Sequence, residues 1–133
     1  MAATWRNLMQ IDGLGSFLAG QMVADLAHLP AGSAWPDVAT WAPLGPGSKR
    51  GMNRVMGRPK EQAISQAQFE VELLELMRAL KPLIAGIWAD RNLTAFDFQN
   101  VCCEHDKARR LMLGEGQVRS NYDGAGDAQI GLL

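Results

Sequence analysis

Only two of the 133 residues are cysteine, Cys102 and Cys103, and they are adjacent. Neighbours in sequence are too constrained to close an ordinary structural disulfide, and no third cysteine exists to pair with either. That excludes a disulfide scaffold and makes a reducing, cytoplasmic setting the expectation. The two histidines, His28 and His105, share no ligand spacing with the cysteines, so no zinc site is read and no metal or cofactor is expected. No apolar run approaches the roughly 20 residues of a membrane span. The start lacks the pattern of a secretory signal, and no membrane partner is expected. Acids and bases nearly cancel, leaving a net charge of −1, which argues against a protein that coats nucleic acid through charge alone. Nothing alternates convincingly with period two, so nothing reads as a sheet.

What is present is one helix signal after another. The composition does not shift along the chain and its length suffices for a core, so a single all-α domain over 1–133 is expected, without internal repeats. The stretch it is arranged around is Ile11 to Val23, IDGLGSFLAGQMV. Gly13 and Gly15 flank Leu14 between a short helical run, Trp5 to Met9, and a longer helix from Ser16. Glycine reaches backbone angles closed to other residues, so such a turn can present several N–H groups outward together. Ser16 reads as the N-cap of the helix that follows, whose dipole points the same way. The product would be a small anion seat, similar to the helix-hairpin-helix element that grips a DNA phosphate without reading sequence. Gly-x-Gly before a helix also restarts helices in proteins that bind nothing.

In chain order the reading is a hairpin over 5–28, a Gly/Pro/Trp loop and basic turn over 29–60, a helical pair over 65–90, a C-terminal helix over 94–113 and a tail over 114–133. In the second hairpin helix, Phe17, Leu18, Met22, Val23 and Leu26 are expected inward, and Pro30 stops it. A short basic helix is expected over Ser48 to Met56, after the turn Gly45-Pro46-Gly47. Ser65 with Gln68 makes a capping box for the next helix, with Ile64 and Phe69 as its staple. Its inner stripe is Phe69, Leu73, Leu76, Met77 and Leu80, and Lys81-Pro82 is expected to break or kink it. Thr94 caps the last long helix, with Asp97 at the third position, and Gly114 and Gly116 end it.

Charge is segregated rather than absent. Lys49, Arg50, Arg54, Arg58 and Lys60 follow one another with no acid among them, and Lys107, Arg109, Arg110 and Arg119 form a second cluster. One basic face on a neutral protein is therefore possible. The last helix carries the densest reactive set, DFQNVCCEHDKARR. Asp97, Asn100, Glu104 and Lys107 fall on one polar stripe, with Phe98, Val101, Cys102 and His105 toward the core. A carboxylate and an amine one turn apart can keep each other ionised and orient a substrate. Glu104 with Lys107, and Asp106 with Arg109 or Arg110, also read as ordinary surface pairs worth roughly 0.2–0.5 kcal/mol. The cysteines read as small buried apolar groups rather than nucleophiles.

Taken in order, GLGSFLAGQMVADL, TWAPLGPGSKRGMNRVMG, FQNVCCEHDKARR and GEGQVRSNY resemble the successive blocks of the alpha-glutamyl/putrescinyl thymine pyrophosphorylase group, over about Ile11 to Tyr122. That group is similar to the helical domain attached to 5-hydroxymethyluracil DNA kinases and distantly to helix-hairpin-helix DNA glycosylases. The resemblance implies enzymes, many from bacteriophages, in which an amino-acid or polyamine nitrogen displaces pyrophosphate from a hydroxymethyl group of thymine in DNA. The partners implied are modified DNA and a small amine donor, in the host-cell cytoplasm where a phage encodes the protein.

Carried over residue by residue, Gly13, Gly15 and Asp25 match the hairpin block. Gly45, Gly47, Lys49 and Arg50, with Ser48 between them, match the basic turn, and Gln99, Glu104, Asp106 and Lys107 the C-terminal helix block. Gly13, Gly15, Ser16, Gly45, Gly47, Ser48, Lys49, Arg50, Gln99 and Asn100 are the expected DNA- or phosphate-binding residues. Glu104, Asp106, Lys107, Asp25 and Asp37 are the expected catalytic ones. Family members usually carry several helices before the hairpin, so the chain is expected to be a C-terminal half, completed by another chain or a homodimer partner. The family block resembling CEFDKY reads CEHDKA here and lacks two aromatics. The glycosylase likeness singles out Asp37, twenty-two residues past Gly15. The position where bifunctional members place a lysine holds Phe17, which speaks against strand cleavage through a Schiff base. Alternatives from other classes are excision of a modified base, a non-catalytic DNA-binding module and a phage assembly protein. The expected geometry is one cleft shared by the glycine hairpin, the basic turn and the acidic side of the last helix.

Overall fold

The computed structural model describes residues 1–88 and 93–115. Among them are six helices and no strand: α1 (Ala2–Leu8), α2 (Ser16–Ala27), α3 (Pro30–Ser33), α4 (Pro46–Val55), α5 (Gln66–Trp88) and α6 (Ala95–Met112). Tail positions from Gly116 onward, Arg119 included, lie outside the described residues, as do 89–92 at the end of the expected helical pair.

Among the described residues, the most extensive helix–helix packing is α4 against α6. Two glycines one turn apart on α4 allow it. A Cβ on Gly51 would stand 1.9 Å from the Cys102 carbonyl oxygen, and one on Gly47 would stand 2.5 Å from Cys103 Sγ. Bare backbone at both positions lets the two helices lie almost in backbone contact. α5 closes the core over this crossing, burying Phe69, Leu73 and Met77 against Met52, Ala95, Phe98 and Cys102. Leu76 and Leu80 are partly buried beside them, so the inner stripe of α5 is as expected. The helix does not break at Lys81-Pro82 but runs through it. Pro82 lies on the exposed side of α5, where a missing N–H and a displaced carbonyl can be met by water.

A second cluster holds α1 and α2 together: Met1, Val23 and Trp41 are buried, with Trp5, Ala27, Trp35 and Val38 around them and Phe96 of α6 reaching in. The buried side of α2 is Ala19, Gly20 and Val23. Phe17, Leu18 and Met22, expected inward, are 62%, 53% and 42% exposed. The cause is the close approach of Pro43, whose Cγ would lie 3.0 Å from a Cβ on Gly20. Only a small-residue face can sit there. Segment 34–45 ties the two clusters together: the Trp41 indole donates to Glu70 (2.8 Å), Gln66 bridges Ala42 and Leu44, and the Ala95 N–H donates to the Ala39 carbonyl (3.0 Å).

Cap chemistry sets the helix ends. The Thr94 hydroxyl accepts from the Asp97 N–H, while the Asp97 carboxylate accepts from the Thr94 N–H. Gly114, at φ +64°, takes the left-handed turn past the end of α6. At α5 only half of the expected box forms, because the Gln68 N–H donates to Ser65 Oγ but its side chain turns to Glu72. Gly15, not Ser16, is the N-cap of α2. The basic helix starts two residues earlier than expected, at Pro46, whose missing N–H costs nothing in a first turn.

Candidate functional site

The basic run over 49–60 does not form an open cationic face. Each of its members meets a carboxylate: Lys49 with Glu61 (3.6 Å), Arg50 and Arg54 with Asp106 (2.7 and 3.0 Å), Arg54 and Lys60 with Glu115 (2.5 and 2.7 Å), and Arg58 with Glu72 (2.6 Å). Asp106 does not pair within its own helix but is fully buried between two guanidiniums of α4. Burial pushes its carboxyl pKa up, but the hydrogen bonds and charges of Arg50 and Arg54 outweigh that and hold it below the usual carboxylate range. Lys60 and Arg54 bring Glu115 down to about 2.

The Gly45–Arg50 turn is likewise built into the crossing. The Ser48 hydroxyl closes the turn on the Gly45 N–H and carbonyl (3.0 and 3.1 Å), and the Gln99 amide donates to the same hydroxyl (3.2 Å). Gly47 is covered by Cys103. Of the expected site residues, the structure thus brings together Gly45, Gly47, Ser48, Arg50, Gln99 and Asp106. Their visible work is to join α4 to α6.

Asp37 is occupied elsewhere. Its two oxygens accept from the Met1 amino group (2.5 Å) and the Ala2 N–H (2.9 Å). Burial raises its pKa, but these partners prevail and lower it. Asp25 is exposed. In the hairpin, Gly13 takes φ +84°. The space where a side chain would stand at Gly13 and Gly15 is open, and no side chain caps the first turn of α2.

Asp97, Asn100, Glu104 and Lys107 form the solvent-facing stripe of α6, as their spacing required. Glu104 and Lys107 are 66% and 59% exposed and pair with each other at 2.5 Å. The hydrogen bond from Lys107 to Glu104 raises the lysine pKa, keeping it a cation. Asp106 lies two residues from Glu104, about 200° round the helix. The stripe and the Arg50 clamp therefore occupy opposite faces, and the single cleft expected for hairpin, basic turn and acidic stripe is not what the chain builds. Val101, expected inward, is 53% exposed because the buried side of α6 runs Ala95, Phe98, Gln99, Cys102, Asp106. Burial, and then the neighbouring Cys103, push the Cys102 thiol up to about 11. It stays protonated, in keeping with a packing role.

The stripe begins at the rim of a cavity of about 740 Å³ between the C-terminal part of α2, the later turns of α5 and the start of α6. Asn100 and Asp97 line it, with Phe96 and Phe98 beside them. Asn100 is the only expected DNA-binding residue there, and Glu104 follows it by one helical turn. Neither the cavity nor the packing role of Gly51 at the α4–α6 crossing and of Gln66 at Ala42 and Leu44 was read from the sequence. Gly47 and Gly51 one turn apart in a helical stretch were the available signal for a close helix crossing.

Residues 1–118 match the family described as the 5-hmdU DNA kinase, helical domain. The chain belongs to this family. No curated protein and no solved structure matches it. The match to the kinase helical domain takes in both halves of the α4–α6 crossing, the hairpin and the whole α6 stripe. None of the helices described for this helical domain is long and apolar enough to cross a membrane.

Proposed function

We propose that this helical domain takes part in hypermodification of hydroxymethyl-pyrimidines in DNA, and that the α6 stripe is where the modified base is handled. The observation that carries the reading is the match of residues 1–118 to the helical domain of the 5-hmdU DNA kinase. The reaction is displacement of pyrophosphate by an amine. The amine nitrogen attacks the carbon attached to ring position 5, a C–N bond forms, the C–O bond breaks and pyrophosphate departs with the electron pair.

Glu104 takes the proton released by the nitrogen, and the Lys107 cation meets the leaving phosphates; both are solvent-accessible and adjacent. Asp106 is unsuited to the base role, because both of its oxygens are already hydrogen-bonded to guanidiniums. The uncapped first turn of α2 behind Gly13 and Gly15 holds a backbone phosphate, and the open space there admits one. The open, uncapped α2 turn, beside an Asp106 already committed to guanidiniums, favours a second reading, a module that positions DNA for a catalytic partner.

The test is nucleoside mass spectrometry after incubating DNA bearing pyrophosphorylated 5-hydroxymethyluracil with the protein and a panel of amines and amino acids. An amine-substituted nucleoside, lost in Glu104→Gln and in Lys107→Ala, supports transfer. Strand binding without any change of base mass supports the positioning module. Failure to bind the strand and to change it removes both.

A further inference from the structure

We propose that the cavity between α2, α5 and the start of α6 receives a single pyrimidine base turned out of the DNA strand, with the Asn100 amide reading its edge. This rests on the reading above and assigns the place where its substrate is held. Three observations support it. The volume of about 740 Å³ falls within the roughly 300–1,000 Å³ typical of small-ligand sites, and so holds a nucleoside with a substituent on its ring.

The lining is mostly apolar, Ala24, Ala27, Leu80, Ile84 and Phe96 among it, and carries a few polar side chains, including Asn100, His28 and Thr94. That composition is what a flipped base needs: a face to replace lost stacking and a few groups to meet its heteroatoms. Asp97, the carboxylate in the wall, is turned to the Thr94 N–H and hydroxyl (2.7 Å each), so its charge is already satisfied by the helix cap.

The third observation is register. Asn100, at the rim, and Glu104 are one turn apart on the exposed side of α6. Four residues of helix rise about 6 Å, so a substituent on a ring held at Asn100 leaves the cavity toward Glu104 and Lys107. An asparagine amide carries one acceptor and two donors. Its oxygen accepts from the uracil ring N–H while its NH2 donates to the neighbouring carbonyl. An adenine edge can also pair with an amide; the family's substrate name, 5-hmdU, selects the uracil.

The experiment is an NMR titration of the full chain with free 5-hydroxymethyl-2′-deoxyuridine, with 2′-deoxyadenosine as the competing base, repeated on Asn100→Ala and Ala27→Trp. The expected result is saturable shifts concentrated at Ala24, Ala27, Ile84, Phe96 and Asn100. Affinity should fall about tenfold in Asn100→Ala, the range of one lost bidentate base contact, and be abolished when tryptophan fills the cavity. Asn100 is exposed, so its substitution leaves folding intact and stands as a test even if Ala27→Trp unfolds. Shifts absent from the cavity, unaffected by Asn100→Ala, or larger with deoxyadenosine overturn the proposal. A protein that modifies DNA without cavity shifts loses the pocket and keeps the function. One that binds the nucleoside there but changes no DNA loses the transfer reaction and keeps the pocket.

Discussion

Gly51 and Gly47 occupy equivalent places one turn apart, yet an added methyl meets different things at each. At Gly51 it strikes the Cys102 backbone oxygen at 1.9 Å, which only separation of the two helices relieves; at Gly47 it strikes Cys103 Sγ at 2.5 Å, which a side-chain rotation relieves. Gly51→Ala is therefore expected to destabilise by about 3 kcal/mol or more and Gly47→Ala by about 1 kcal/mol, read from urea unfolding midpoints at unchanged slope. Equal costs would mean that the crossing is looser than described. Asp106→Ala leaves two guanidiniums facing a void and should cost about 3 kcal/mol, the lower end for breaking a buried pair, since Arg50 retains access to water. From the sequence, Asp106 offered only partners three and four residues away, because the pair that holds it lies more than fifty residues upstream. The exposed Glu104–Lys107 pair was legible for the converse reason: both partners are local.

Elements were legible where their signals are short-range. Thr94 with Asp97 fixes the start of α6 and Gly114 its end, as expected from residue type and spacing. Thr94→Ala should remove one cap and lower stability by about 1 kcal/mol, read from urea unfolding midpoints, with faster amide exchange confined to the first turn of α6. The face of α2 was not legible, because periodicity ranks residues by hydrophobicity whereas the Pro43 contact selects by size; Ala19 and Gly20 lie inside and Phe17 outside. Pro82 shows the same limit. A rule about proline predicts a break or a kink; the break does not occur, because α5 is anchored along Phe69, Leu73 and Met77 before the proline, and the helix continues through it. Restoring the missing backbone hydrogen bond should then help: Pro82→Ala is expected to stabilise by about 1–3 kcal/mol, and a loss of melting temperature would show that the proline is required where it stands.

For the whole molecule, nearly balanced charge and paired basic side chains make acid the condition that undoes the fold. Asp106, Glu115 and Glu72 are all held below their ordinary pKa values: in Asp106 the guanidiniums overcome burial, in Glu115 Lys60 and Arg54 act, and in Glu72 the Arg58 hydrogen bond leads. A carboxylate with a depressed folded pKa stabilises at pH above its unfolded value and loses that contribution as pH falls through the folded value. Stability should be level from neutral pH to about 5 and then fall between about 4.5 and 2, with a shallower fall in Asp106→Ala. The family was legible in four ordered sequence blocks. The joint use of two of them as a structural clamp was not, since nothing local marks Arg50 and Arg54 as partners of a residue on another helix.

The decisive measurement is the base composition, by mass, of DNA carrying pyrophosphorylated 5-hydroxymethyluracil after incubation with the protein and candidate amines. The expected product is an amine-substituted pyrimidine that disappears in Glu104→Gln. Unchanged nucleosides, with no retention of the modified strand over an unmodified one, would contradict it.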